Sequence, residues 1–289
     1  MATAQFFSLS EAIEEYVRDG ASVALEGFTH LIPFAAGHEI IRQRRQDLTL
    51  IRMTPDILYD QMIGMGCARK LVFSWGGNPG VGSLHRFRDA IENNWPRPLD
   101  IEEHSHAAIA NAYEAAAAGL PCAILRGYKG SDLAAVNPNI RTISCPFTSE
   151  ELACVPALRP DVAVVHAQRA DRRGNVLIEG IIGVQKEVVL AASKAIVTVE
   201  EIVDKLGDTR ADAVILPHWT IAAIVEVPRG AQPSYAQGYY GRDNSFYKAW
   251  DSISRERDAF LAWMNEHVLA EKERKRAAAP RNQAERERA

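Results

Sequence analysis

Short apolar runs recur along the chain, separated by stretches in which apolar positions return every three or four residues. Ser8 and Glu11 have capping-box spacing. They open an amphipathic helix whose apolar face carries Ala12, Ile13, Tyr16 and Val17 and which stops at Gly20. Val23-Ala24-Leu25 reads as a strand that runs into a turn at Gly27-Phe28-Thr29-His30, and a helix is expected over 34–44. The same alternation follows: strand 48–53, helix 56–64, strand Leu71-Val72-Phe73, helix 84–93, an extended piece at 100–103, helix 107–118, strand 123–125 and a loop at 127–131. In the second half, strands are expected over 161–167, 176–178, 195–199 and 221–227, with a turn at Gly174-Asn175 and a helix over 185–193. The strands are apolar throughout instead of alternating, as in a sheet buried on both faces. The expected class is therefore α/β, with a largely parallel sheet covered by helices on either side.

Composition adds only limits. The 289 residues are 47% hydrophobic and 24% charged with a formal net charge of -4, values that suit a globular protein and require neither nucleic acid nor an anionic membrane as partner. No apolar run reaches the roughly 20 residues that span a bilayer, and the first ten residues lack the basic and apolar regions of a signal peptide. Cys67, Cys122, Cys145 and Cys154 form no C-x-x-C pair, so reduced thiols, no metal site and a cytoplasmic address are expected. Residues 1–270 are expected to form the functional domain. Residues 271–289, dense in Arg, Lys, Glu and Ala, are expected to be a charged C-terminal tail without chemistry.

Candidate chemistry falls at three places. The turn at Gly27, Phe28 and Thr29 and the glycine-rich stretch Gly76, Gly77, Asn78, Pro79, Gly80, Val81, Gly82 both follow strands. In open α/β sheets ligands bind beyond the carboxyl ends of strands, and glycines there let backbone amides approach a phosphate or an oxyanion. The second stretch matches neither the P-loop nor the dinucleotide-binding spacing. The third place is Glu102-Glu103-His104-Ser105-His106, the densest ionisable cluster. Ser105 suits a helix N-cap and carboxylates suit a first turn, so capping explains these residue types as well as acid/base chemistry or substrate contact does.

Taken in order, Val23 to His30, Gly76 to Gly82, Glu102 to Ser105, Gly130-Ser131, Asp161 to Gln168, Val199 to Val203, Val225 to Pro233 and Gly241-Arg242-Asp243-Asn244 resemble the alpha (A) subunit of class I coenzyme A transferases of the glutaconate type. The resemblance implies an open α/β/α sandwich shared with ribose-5-phosphate isomerase-like proteins. It implies a partner, the B (beta) subunit, in a heterotetramer or larger, and a coenzyme A thioester as substrate with no bound cofactor. In that family the acyl-CoA is attacked by a glutamate of the B subunit, so no catalytic nucleophile is assigned to this chain. Gly27, Phe28, Thr29, Gly76, Gly77, Asn78, Gly80, Gly82, Glu102, Ser105 and His106 are the expected substrate or CoA contacts. A related branch hydrolyses a steroid-derived ring thioester and carries an acidic residue near the start of the helix after the Glu-Glu stretch. Here His106 falls at that position, which favours transferase over hydrolase. A non-catalytic ligand-binding module on the same fold is the reading from another class.

Overall fold

A computed structural model describes residues 5–270; the charged tail expected over 271–289 lies outside the described residues. In its first half β1 (Gln5–Phe6), α1 (Leu9–Tyr16), β2 (Ser22–Glu26), α2 (Phe34–Arg42), β3 (Leu48–Arg52), α3 (Ile57–Gly64), β4 (Ala68–Phe73), α4 (His85–Glu92), β5 (Asp100–Glu103) and α5 (His106–Ala117) alternate. There follow β6 (Cys122–Leu125), a short α6 (Leu133–Val136), β7 (Arg141–Ser144), β8 (Glu151–Pro156), β9 (Val162–Asp171), β10 (Val176–Ile178), α7 (Gln185–Ala191), β11 (Lys194–Val203), β12 (Val214–Leu216), β13 (Ala223–Glu226), α8 (Asn244–Arg255) and α9 (Arg257–Met264).

The main sheet runs β1-β13-β11-β9-β2-β3-β4-β5 with every neighbouring pair parallel; β10 and β12 add an antiparallel margin beyond β9. From β2 the chain winds one way through β3, β4 and β5. It then returns to the other side of β2 as β9 and continues through β11 and β13. The order therefore reverses between β2 and β9, and the crevice beyond the carboxyl ends of strands at such a reversal is where an open α/β sheet binds ligands.

Alternate residues of each central strand enter different cores. Val23, Leu25, Leu50, Leu71, Val162 and Val164 pack on one face, and Ala24, Ile51, Val72, Ala163 and Val165 on the other. At about 1.5–3 kcal/mol for each large side chain buried, double-sided burial drives the assembly of these strands. β6 is the strand expected at 123–125, but its pairing in a separate antiparallel sheet, β6-β8-β7, was not expected; the strands are short and half exposed, and α5 covers one side of the sheet. Nor were α8 and α9 expected.

Local devices fix the helices. The capping box opens α1: the Ser8 hydroxyl accepts from the Glu11 N–H (3.3 Å) and the Glu11 carboxylate accepts from the Ser8 N–H (2.9 Å). Leu84, the N-cap of α4, makes no side-chain cap. Asp60 of α3 supplies one from outside, since one carboxylate oxygen accepts from the N–H groups of Arg86 and Phe87 (2.8 and 2.9 Å). Its other oxygen accepts from Trp250 Nε1 of α8 at 2.9 Å. One buried carboxylate thus joins three helices, and burial pushes it up to about 6. No helix among the described residues is long and apolar enough to cross a membrane.

Candidate active site

A cleft of about 370 Å³ opens at the carboxyl ends of β2 to β5. Phe28 and Thr29 come from the turn after β2, Arg52, Thr54 and Asp56 from the end of β3, Trp75 and Pro79 from the loop after β4, and His106 from the start of α5. Tyr235, Arg242 and Tyr247, from beyond β13, complete the lining. The lining is mostly apolar and aromatic, with few polar groups, as in small-molecule clefts generally.

The first wall is a constrained turn. Thr29 and Leu31 sit at φ of 62° and 53°, a region that costs a β-branched residue such as threonine roughly 1–3 kcal/mol. Several contacts enforce it. The Leu31 N–H donates to the Tyr235 carbonyl (2.9 Å) and Ser234 Oγ to the Thr29 carbonyl (3.1 Å), while the His30 ring stacks on Tyr235 at 4.9 Å. His30 Nε2 also bonds the Ile181 carbonyl at 2.6 Å. Gly27 is demanded by close approach, because a Cβ there would lie 2.6 Å from the Leu31 carbonyl oxygen and 2.9 Å from Ile32 Cα. The N–H groups of Phe28 and Thr29 meet no acceptor among the described residues. They are available to a bound carbonyl or oxyanion.

The floor is a buried ion pair. Arg52, 1% exposed, donates to both oxygens of Asp56 (2.9 and 3.3 Å) and to the Gly27 carbonyl (2.9 Å). Asp56 also caps α3 through the Leu58 N–H. Behind it lies Glu26, which accepts from the Met53 N–H (3.0 Å) and Tyr113 Oη (3.2 Å) and so ties the ends of β2 and β3 together. Burial pushes its carboxyl up to about 7, partly offset by Arg52. An acid raised from an ordinary value of 4.5 takes up a proton on folding between those two pH values, so its penalty on stability grows from pH 4.5 to 7 and is complete above. Glu26→Gln keeps an acceptor oxygen. It is expected to stabilise the protein by about 3 kcal/mol at pH 8 and by little below pH 4.5, measured as unfolding free energy across that range.

The other expected contacts divide. In the loop after β4, the N–H groups of Gly77, Asn78, Val81 and Gly82 bond to Pro55, Gly82, Asn78 and Asn78 carbonyls respectively, and Asn78 Nδ2 donates to the Tyr247 carbonyl. Most of the loop's amides are thus spent in shaping it. Gly76 and Gly80 have no such bond among the described residues, and Trp75 and Pro79 are the residues that line the cleft. Glu102 faces a different hollow and is engaged by His104 Nε2 (2.8 Å) and Lys70 Nζ (2.6 Å), which hold its carboxyl down to about 2. Ser105 caps α5 through the Ala108 N–H (3.2 Å), leaving the exposed His106, one residue on, to line the cleft. His166, at 0% exposure in β9, bonds Thr198 Oγ1 (2.8 Å) and Glu200 (2.7 Å). Burial alone would push the Glu200 carboxyl up, but bonds from His166, Tyr240 and the Arg229 N–H outweigh it and hold the group low. This buried network anchors residues 229–240, among them Tyr235 of the cleft lining. Arg52, Asp56, Tyr235 and Tyr247 had no assigned role in the sequence. Arg242 stood inside a quoted motif, but nothing there marked it as lining the cleft.

Residues 6–227 match the family model described as coenzyme A transferase. The chain belongs to the coenzyme A transferase family. It is 62% identical over 270 residues, 93% of this chain and 95% of the relative, to the A subunit of 3-oxoadipate CoA-transferase of Pseudomonas knackmussii. The solved glutaconate coenzyme A-transferase of Acidaminococcus fermentans superposes with a TM-score of 0.87 at 30% identity, covering 96% of this chain and 93% of that one. The cholesterol ring-cleaving hydrolase IpdA subunit of Rhodococcus jostii is more distant, at 26% identity over 94% of both chains. The chain is thus a CoA-transferase A subunit of the glutaconate-like type, with the mostly parallel α/β sheet that the sequence pattern implied.

Proposed function

We propose that this A subunit forms one wall of a CoA transferase that moves CoA between an acyl-CoA and a carboxylic acid of the 3-oxoacid or dicarboxylic type, 3-oxoadipate being the first acceptor to test. The observation that carries this reading is the balance of groups in the cleft. Among the described lining residues the only carboxylate is Asp56, and it is locked to Arg52 and to the cap of α3. The cleft supplies unspent N–H groups at Phe28 and Thr29 but no unengaged carboxylate.

The nucleophile then belongs to a B subunit docked over the cleft. Its glutamate attacks the thioester carbonyl, expelling CoA thiolate and forming an acyl-glutamyl anhydride. The thiolate returns to the glutamyl carbonyl and releases the first acid as a carboxylate, leaving a glutamyl-CoA thioester. The acceptor carboxylate then runs these steps in reverse. In each addition the carbonyl oxygen gains charge, and the amides of residues 28 and 29 are placed to receive it. Trp75 and Ile181, 46% and 49% exposed beside the cleft, give a docking partner apolar surface to cover.

Co-expression with a B subunit, followed by an assay of CoA transfer from a panel of short acyl-CoAs to 3-oxoadipate, tests this. Transfer by the complex and by neither chain alone is expected. Release of free CoA without need for an acceptor acid would instead assign a hydrolase. The 62% against 26% identities, and His106 in place of an acid, favour the transferase.

A further inference from the structure

Arg242 is the one arginine of the cleft left without a carboxylate among the described residues. Its guanidinium carbon lies over the Tyr247 ring, 3.7 Å from the centroid. Its Nη groups reach the Pro79 carbonyl and Asn244 Oδ1, both at 3.3 Å, the long end of hydrogen-bonding distance. Among the described residues no ion pair involves it, whereas Arg52 in the same cleft is paired with Asp56 and donates to Gly27. The stacking ring and the two weak bonds orient the guanidinium plane without neutralising it. Arg242 is half-buried in a cleft whose lining is mainly apolar and aromatic, where Asp56, the one carboxylate among the described lining residues, is already engaged by Arg52, so a carboxylate ligand is favoured. A planar, pre-oriented fork is also the geometry that receives a carboxylate through two parallel bonds.

We propose that Arg242 binds the second carboxylate of a dicarboxylic acyl group, and so makes the enzyme select dicarboxylates over monocarboxylates. The inference rests on the transferase reading above and names a residue that sets its substrate class. The reacting carbonyl belongs with the free amides of Phe28 and Thr29, which line the same cleft as Arg242. A cleft of about 370 Å³ is at the small end of ligand sites and suits a short acyl chain. Arg242 touches no reacting atom in this arrangement. It positions the acyl chain by its far end, and because the bond persists from ground state to transition state it acts mainly on binding.

The test uses the complex with the B subunit, offered two acceptors of equal length, 3-oxoadipate and 3-oxohexanoate. The ratio of their kcat/KM values is the readout. Arg242→Gln is expected to lower that ratio roughly 100-fold, chiefly through KM for 3-oxoadipate, the size of effect that loss of a charge-assisted carboxylate pair produces. Arg242→Lys, which keeps the charge but loses the fork and the stacking, is expected to fall between. A proportional loss toward both acceptors would show that Arg242 serves only to hold the Pro79 loop, and an unchanged ratio would place the second carboxylate elsewhere; either result overturns the proposal while leaving the transferase intact. An unsubstituted complex that transfers CoA to neither acid, nor to any other, removes both.

Discussion

Gly27→Ala is expected to lower kcat/KM of the assembled transferase by roughly 100-fold, the loss that displacing a positioning element by about 1 Å produces. The new methyl would sit 2.6 Å from the Leu31 carbonyl oxygen and 2.9 Å from Ile32 Cα. Both are backbone atoms, so no rotamer change relieves the contact. The turn itself must move, and it carries Phe28 and Thr29, whose N–H groups are the oxyanion donors of the proposed mechanism. It cannot move freely, because Arg52, Tyr235 and Ser234 hold its carbonyls and its Leu31 N–H from three sides. The expected outcome is a folded chain that still binds its partner, with a lower melting temperature and a much lower kcat. Activity close to that of the unsubstituted complex would mean that this turn does not form the reaction centre.

Asp60→Ala is expected to destabilise the chain by about 4 kcal/mol, since buried donors left without an acceptor cost about 1–3 kcal/mol each and three are left here. The N–H groups of Arg86 and Phe87 and the Trp250 Nε1–H would all lose their partner at a site of 0% exposure. At the size of this chain that is a drop of about 10 °C in Tm. Asp60→Asn separates the contributions. Its carbonyl oxygen can keep the two α4 amides, while its NH2 group would face the indole N–H. A loss near half that of alanine is expected, measured by thermal or denaturant unfolding. Equal losses for the two variants would mean that the α4 cap contributes nothing.

The central sheet was legible because its strands are buried on both faces and so appear as unbroken apolar runs; β9 and β11 need no tertiary knowledge to be seen. Of the small sheet only β6 was legible, as the strand expected at 123–125. Arg141–Ser144 and Glu151–Pro156 alternate weakly, are half exposed and are stabilised by cross-strand pairing that leaves little periodic trace. Helix α8 had a signal in Asp243, which caps it, and in Tyr247, Trp250 and Ser254, its buried face, but the apolar positions are few. In the site, Gly27, Phe28 and Thr29 were visible because a glycine after a strand implies close backbone approach. Glu102 and Ser105 were visible for their chemistry, but sequence could not say that Lys70 and His104 engage the first and α5 the second. Tyr235, Arg242 and Tyr247 meet Phe28 only through a fold that spans some 200 residues, and no local pattern records that distance.

One turn after β2 and one cleft beyond it thus account for the division of labour proposed here, with amides and a substrate-orienting cation on this chain and the nucleophile on the partner. Covalent trapping tests that division most directly. The complex with the B subunit is incubated with a reactive acyl-CoA and treated with borohydride, and the reduced residue is located by mass spectrometry. The expected result is a single modified glutamate on the partner, with none on this chain. Modification of a carboxylate of this chain, or free CoA released with no covalent intermediate on either chain, would contradict the account.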